Sequence, residues 1–118
     1  MIDSIIRGIF EKKGHDVVCI DLSQVENAIC DCFVICHGDS NIQVNAIAES
    51  VEKETREQFS VRPFSVQGAS NAEWVLLDYG QTVVHVFQKP ARMRYKLEEL
   101  WGDGKVTHVE ESNKQLKT

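Results

Sequence analysis

The sequence predicts a single α/β domain, of the α+β kind with one mixed sheet covered by helices, in the order α-β-β-α-β-β-β-α. Three observations carry this expectation. Ile2, Ile5, Ile6, Ile9 and Phe10 recur at the spacing of an amphipathic helix, and Val44, Ile47, Ala48 and Val51 do so again. Short runs rich in β-branched and aromatic residues lie between and after these segments. Tyr79-Gly80-Gln81 joins two such runs at hairpin length, with Gly where a positive φ is needed.

The elements follow in order. The first helix ends at Gly14, a residue suited to the left-handed conformation past a helix C-terminus. Val17-Val18-Cys19-Ile20 reads as a short strand, and Leu22 to Ala28 as a loop. Cys32-Phe33-Val34-Ile35-Cys36 has the composition of a buried strand and stops at His37-Gly38-Asp39. Ser40 and Gln43 match a capping box, in which Ser40 accepts from the Gln43 amide and the Gln43 side chain reaches back. A helix from Asn41 to Phe59 follows, with Glu49, Glu52, Lys53, Arg56 and Glu57 on its wet face. Arg62 to Gln67 is a third strand, and Pro63 places it at a sheet edge or strand start. Gly68 to Asn71 is a turn, and Glu73 to Asp78 and Thr82 to Gln88 are the hairpin strands. Pro90 suits the first turn of a final helix running to Trp101. Residues 1–101 therefore form the domain, and 102–118 read as a polar, mobile tail.

Composition bounds the function. The 118 residues suit one domain large enough to fold around its own core. A net charge of −5 argues against whole-chain electrostatic binding of nucleic acid, so any RNA contact needs a local basic patch. No apolar run is long enough to cross a bilayer, and the N-terminal residues do not read as a secretory signal. A cytoplasmic location, or an equivalent organelle interior, is expected. Cys19, Cys30, Cys32 and Cys36 are then expected as reduced thiols.

Several groupings of residues have the side chains that chemistry requires. Cys30, Cys32, Cys36 and His37 look like a metal set, but on a strand Cys32 and Cys36 lie roughly 13 Å apart and His37 points to the other face. Zinc needs four ligands around one point, so small buried hydrophobes are the better reading. His85 lies in an apolar strand with no nucleophile motif beside it, which favours a core histidine with one satisfied hydrogen bond. Asp31, Asp39 and Asp78 do not form the converging set that two-metal chemistry requires. Gly38-Asp39-Ser40 is similar to the Gly-Ser turn of nucleotidyltransferases, without the paired acids that accompany it. No enzyme activity, cofactor or metal is expected.

The second half points to docking instead. Met93, Leu97, Leu100 and Trp101 share one stripe of the last helix, which leaves Tyr95 near the opposite face. A solvent-facing Tyr suits an interface anchor. Lys89, Arg92, Arg94 and Lys96 form a basic cluster near a helix N-terminus, where they oppose the helix dipole and suit phosphate or an acidic partner. Trp74 and Leu76 share one face of their strand, and Val75 and Leu77 the other. A strand apolar on both faces is either central or offers one face to a partner.

From Ile2 to Trp101 the chain resembles the ribosomal silencing factors, also called Iojap-related proteins. The resemblance rests on Asp31-x-Phe33-Val34-Ile35, Gly38-x-Ser40, Gln43-Val44, Ala46-Ile47, Gly68, Ala72-x-Trp74, Asp78-Tyr79-Gly80, Val84-His85-Val86-Phe87 and Arg94-Tyr95-x-Leu97-Glu98-x-Leu100-Trp101. It implies a nucleotidyltransferase-like core without catalytic acids. It implies binding to the large ribosomal subunit through a ribosomal protein on the intersubunit face, with joining of the small subunit blocked. Some members act in large-subunit maturation, and homodimers are common. The docking positions it implies here are Trp74, Leu76, Asp78, Tyr79, Arg94 and Tyr95. The chain departs from the family pattern at Gln67, where Glu is usual, and at Cys30, where a small hydroxyl residue is usual.

Overall fold

The computed structural model describes residues 1–111. The chain runs α1 (Ile2–Glu11), β1 (His15–Asp21), β2 (Cys32–Gly38), α2 (Asn41–Phe59), β3 (Ser65–Gln67), β4 (Trp74–Asp78), β5 (Thr82–Gln88), α3 (Lys89–Tyr95), α4 (Leu97–Leu100) and β6 (Lys105–Val109). The expected mixed sheet is present. Its six strands lie in the order β3-β4-β5-β2-β1-β6. β2 and β5 run parallel at the centre, and every other neighbouring pair is antiparallel. The parallel pair needs a crossover, which α2 supplies.

Alternation of side chains divides the core between the two sheet faces. On the first face, Val17, Val34, Cys36, Val75, Leu77, Val84 and Val86 pack against Ile5 and Ile9 of α1 and Val44, Ile47 and Val51 of α2. On the second, Val18, Ile20, Phe33, Ile35, Val83 and Phe87 meet Leu22, Cys30, Ala91 and Leu97. The first face is covered by two long helices. The second is covered by one connecting segment and two short helices.

The α2 cap forms largely as expected. Ser40 Oγ accepts from the Gln43 amide at 3.1 Å. The Gln43 side chain reaches back one residue further than a capping box requires, its Oε1 accepting from the Asp39 amide at 2.6 Å. Its Nε2 donates to the carbonyls of Lys12 and Lys13, which ties the end of α1 to the start of α2. At the end of α1 it is Lys13, with φ 61°, that takes the left-handed conformation expected of Gly14.

Two expectations are corrected. The segment from 102 onward is not uniformly a tail, because Lys105–Val109 extends the sheet beside β1, pairing Val17 with Val109 and Asp21 with Lys105. Val106, Thr107 and Val109 give this edge its β-branched character. Residues 112–118 of the expected tail lie outside the described residues. The last helix is also not continuous. Lys96 adopts a left-handed conformation (φ 50°, ψ 52°) and separates α3 from α4.

Candidate docking surface

The break at Lys96 undoes the expected apolar stripe. Leu97 is buried and Trp101 half-buried, but Met93 is 60% exposed and Leu100 71% exposed. The buried residues of α3 are instead Ala91 and Arg92. Arg92 Nη2 and Nε donate to Glu98 Oε2 at 2.7 and 3.1 Å, and its Nη1 donates to His37 Nδ1 at 2.9 Å. One guanidinium therefore bridges the left-handed break and fastens α3 and α4 to β2. Because arginine only donates, His37 Nδ1 is the bare nitrogen and Nε2 carries the proton. Burial, and then the adjacent Arg92 charge, lower the His37 pKa below its ordinary value. Arg92 thus leaves the expected basic cluster, while Lys89, Arg94 and Lys96 remain exposed.

β4 sets the site. Gly68 turns the chain at φ 88°, and a Cβ there would overlap the Trp74 carbonyl oxygen. The following strand places Trp74, Leu76 and Asp78 on the second sheet face, opposite Phe87, His85 and Val83 of β5. Trp74 stacks on Phe87 with ring centroids 4.9 Å apart and meets the Tyr95 ring at 4.7 Å. Tyr95 remains 49% exposed. The Arg94 guanidinium lies 5.4 Å from the Tyr95 ring centroid, a cation–π distance, and its Nη2 is 3.7 Å from Glu73 Oε1. Both partners of that ion pair are largely exposed, so it adds little to stability.

Five of the six expected docking residues thus lie on or beside one patch: Trp74, Leu76 and Asp78 from β4, and Arg94 and Tyr95 from α3. Asp78 also serves the hairpin, its Oδ1 accepting from the Gly80 amide at 2.8 Å. Tyr79 is the exception and is corrected here. It is 7% exposed, it packs in the core of the opposite face, and its hydroxyl shares a 2.9 Å hydrogen bond with Thr55 Oγ1 of α2. Burial raises its phenol pKa against the opposing effect of that bond. It holds the hairpin to α2 rather than facing a partner.

His85 lies beneath the patch, 4% exposed. Trp74 Nε1 donates to His85 Nδ1 at 3.0 Å. Indole nitrogen only donates, so His85 Nδ1 is unprotonated and Nε2 carries the hydrogen. That Nε2 has no partner among the described residues. Leaving such a group unpaired costs roughly 1–3 kcal/mol. Burial pushes the His85 pKa down to about 4, so the ring is neutral at pH 7. The expected core histidine with one hydrogen bond is what the structure contains. Its partner is the candidate anchor, brought within reach by the register of the hairpin, which pairs Trp74 with Phe87 and Leu76 with His85.

The cysteines behave as small buried groups. Cys30, Cys32 and Cys36 are buried free thiols and Cys19 is half-buried. Burial pushes Cys36 up to about 12. Among the described residues, no three His, Cys, Asp or Glu side chains converge as a metal ion requires.

Residues 1–118 match the family model described as ribosomal silencing factor during starvation. The chain belongs to the ribosomal silencing factor family. A relative from Halalkalibacterium halodurans, named ribosomal silencing factor, is 40% identical over 105 residues, covering 89% of this chain and 88% of its own length. The Bacillus subtilis protein of the same name is 37% identical over 100 residues, 85% of this chain and 83% of that protein. An X-ray structure of a Chromobacterium violaceum protein, 33% identical, superposes with a TM-score of 0.80 over 93% of this chain and 90% of that one. The family match includes β6, which lies beyond the segment where the sequence motifs were found.

Proposed function

We propose that this chain is a cytoplasmic translational repressor that binds the large ribosomal subunit through a ribosomal protein on its intersubunit face. The body of the domain then occupies space that the small subunit needs. The observation that carries this reading is the half-open aromatic face: Trp74, Leu76 and Tyr95 are apolar, adjacent and accessible, while the opposite sheet face is sealed by α1 and α2. Aromatic residues set in a packed surround are what interface anchors are made of. Asp78 and Arg94 supply charges of both signs at the margin of the patch, a polar rim that favours orientation and specificity. Lys89, Arg94 and Lys96 are free to approach neighbouring rRNA phosphate, which makes the affinity salt-sensitive. The mechanism is steric and needs no cofactor or turnover. In the absence of ribosomes we propose a homodimer, which light scattering tests.

The functional test is sedimentation of the purified protein with separated ribosomal subunits, followed by a subunit-joining assay. The expected result is co-sedimentation with large subunits alone and fewer joined ribosomes. Co-sedimentation with normal joining would replace repression with a role in large-subunit assembly. Absence of co-sedimentation at low salt would overturn both.

A further inference from the structure

We propose that His85 is a positioning residue for docking: it fixes the Trp74 indole in the orientation that the partner meets, through the hydrogen bond from Trp74 Nε1 to His85 Nδ1. The inference rests on the docking reading above, but its structural half stands independently of it.

The choice of residue at this position requires an explanation. β5 reads Thr82-Val83-Val84-His85-Val86-Phe87, and every other member of Val83–Phe87 is apolar and buried. A Leu or Phe at position 85 would pack against Phe33, Ile35 and Leu76 without burying a polar atom. Histidine instead leaves Nε2 without a partner among the described residues. What it provides in return is one acceptor, at 3.0 Å, for the only polar atom of the Trp74 side chain.

The surroundings make that bond directional. The imidazole is held T-shaped against Phe33, with centroids 4.6 Å apart, and lies nearly parallel to the Phe87 ring, at 14° and 6.3 Å between centroids. The acceptor therefore sits on a ring that cannot readily turn. Trp74 is only half-buried, so packing covers one part of the indole and leaves the rest to solvent. Stacking on Phe87 and contact with the tilted Tyr95 ring constrain the plane of the indole, but leave it able to swing about its Cα–Cβ bond. The Nε1–Nδ1 bond removes that rotation. With the indole fixed before the partner arrives, less ordering cost falls on the binding step.

The test uses the whole chain and two readouts. The first is hydrogen exchange of the Trp74 indole N–H by NMR, distinguished from Trp101 by its loss in Trp74→Phe. The second is affinity for isolated large subunits. In the unmodified protein the Trp74 indole proton is expected to exchange slowly. His85→Phe should accelerate that exchange at least tenfold and weaken binding about tenfold, with the circular dichroism spectrum retained. His85→Asn, which keeps an acceptor near the Nδ1 position, should restore most of both. In the Trp74→Phe background, which has no donor, His85→Phe should weaken binding no further. Unchanged indole exchange in His85→Phe would overturn the proposal. So would equal losses of affinity with and without the Trp74 donor, because that is the signature of general core damage. Should His85→Phe not fold, His85→Asn with slow exchange against His85→Ala with fast exchange decides the same question. Failure of the unmodified chain to bind large subunits would refute the docking reading, and the exchange data alone would then decide whether His85 orients Trp74.

Discussion

The two faces of the sheet are built from the same strands but are covered to different extents. On one face, α1 and α2 cover the sheet, and Val75 and Leu77 of β4 are fully buried beneath them. On the other, α3 and α4 cover only part of it, and Trp74 and Leu76 of the same strand stay half-exposed. Even the polar groups differ in kind. Tyr79 and Thr55 pair with each other on the closed side. On the open side, the Trp74–His85 bond leaves one nitrogen unpaired among the described residues. The closed face satisfies the Tyr79–Thr55 pair internally, whereas the open face keeps exposed aromatic surface, and the proposed docking rests on that difference.

That contrast can be broken residue by residue. The largest effect is expected within β4. Leu77→Ala should lower the unfolding free energy by about 3 kcal/mol, through lost burial and a residual cavity, as measured by urea denaturation. Leu76→Ala, one residue away, should cost about 1 kcal/mol, because its side chain is only partly buried. Equal losses would mean that the two faces are equally closed.

Acidification should act next. The folded pKa of His85 lies near 4 against an ordinary 6.5, so below pH 6.5 the unfolded chain takes up a proton that the folded chain refuses. Stability is therefore complete above pH 6.5 and declines as pH falls toward 4, by roughly 3 kcal/mol at about 1.4 kcal/mol per unit. His37, lowered in the same direction, adds to the decline. His85→Phe should flatten the slope of unfolding free energy against pH in this window, and an unchanged slope would remove His85 as its source.

Trp74→Ala and Tyr95→Ala sharpen the open side. Each is expected to weaken binding to large subunits by about 2 kcal/mol, a near thirtyfold rise in Kd. Tyr95→Ala should leave the thermal midpoint almost unmoved, since the ring is half in solvent. The smallest effect belongs to Tyr79→Phe, which loses the bond to Thr55 and should cost about 1 kcal/mol of stability with binding unchanged. A binding defect in that variant would return Tyr79 to the docking surface.

Much of this was readable from the chain, for definite reasons. Strand alternation assigned Trp74 and Leu76 to one face because a period of two leaves no choice once β4 is located. The Ser40–Gln43 pairing located the start of α2 because capping chemistry is local. Tyr79 continues the alternation of Val75 and Leu77 onto the closed face, so the period of two places it correctly; only the family resemblance put it among the docking residues. The last helix was misread because a left-handed Lys96 has no sequence signal comparable to glycine. The break separates Leu97 and Leu100 from the stripe of α3, in which Met93 faces solvent and Arg92 the interior. The strand at Lys105–Val109 was missed because an edge strand with exposed side chains carries little hydrophobic pattern. The Trp74–His85 bond required the register of β4 on β5, a long-range fact that no local window contains.

In the proposed function the open face, and not the helical face, meets the ribosome. Amide hydrogen exchange of the chain, free and bound to isolated large subunits, tests it most directly. The account predicts slowed exchange at Trp74–Asp78 and Lys89–Leu97 on binding, with the exposed sides of α1 and α2 unchanged. Protection concentrated on α1 and α2, with β4 and α3 unaffected, would contradict it.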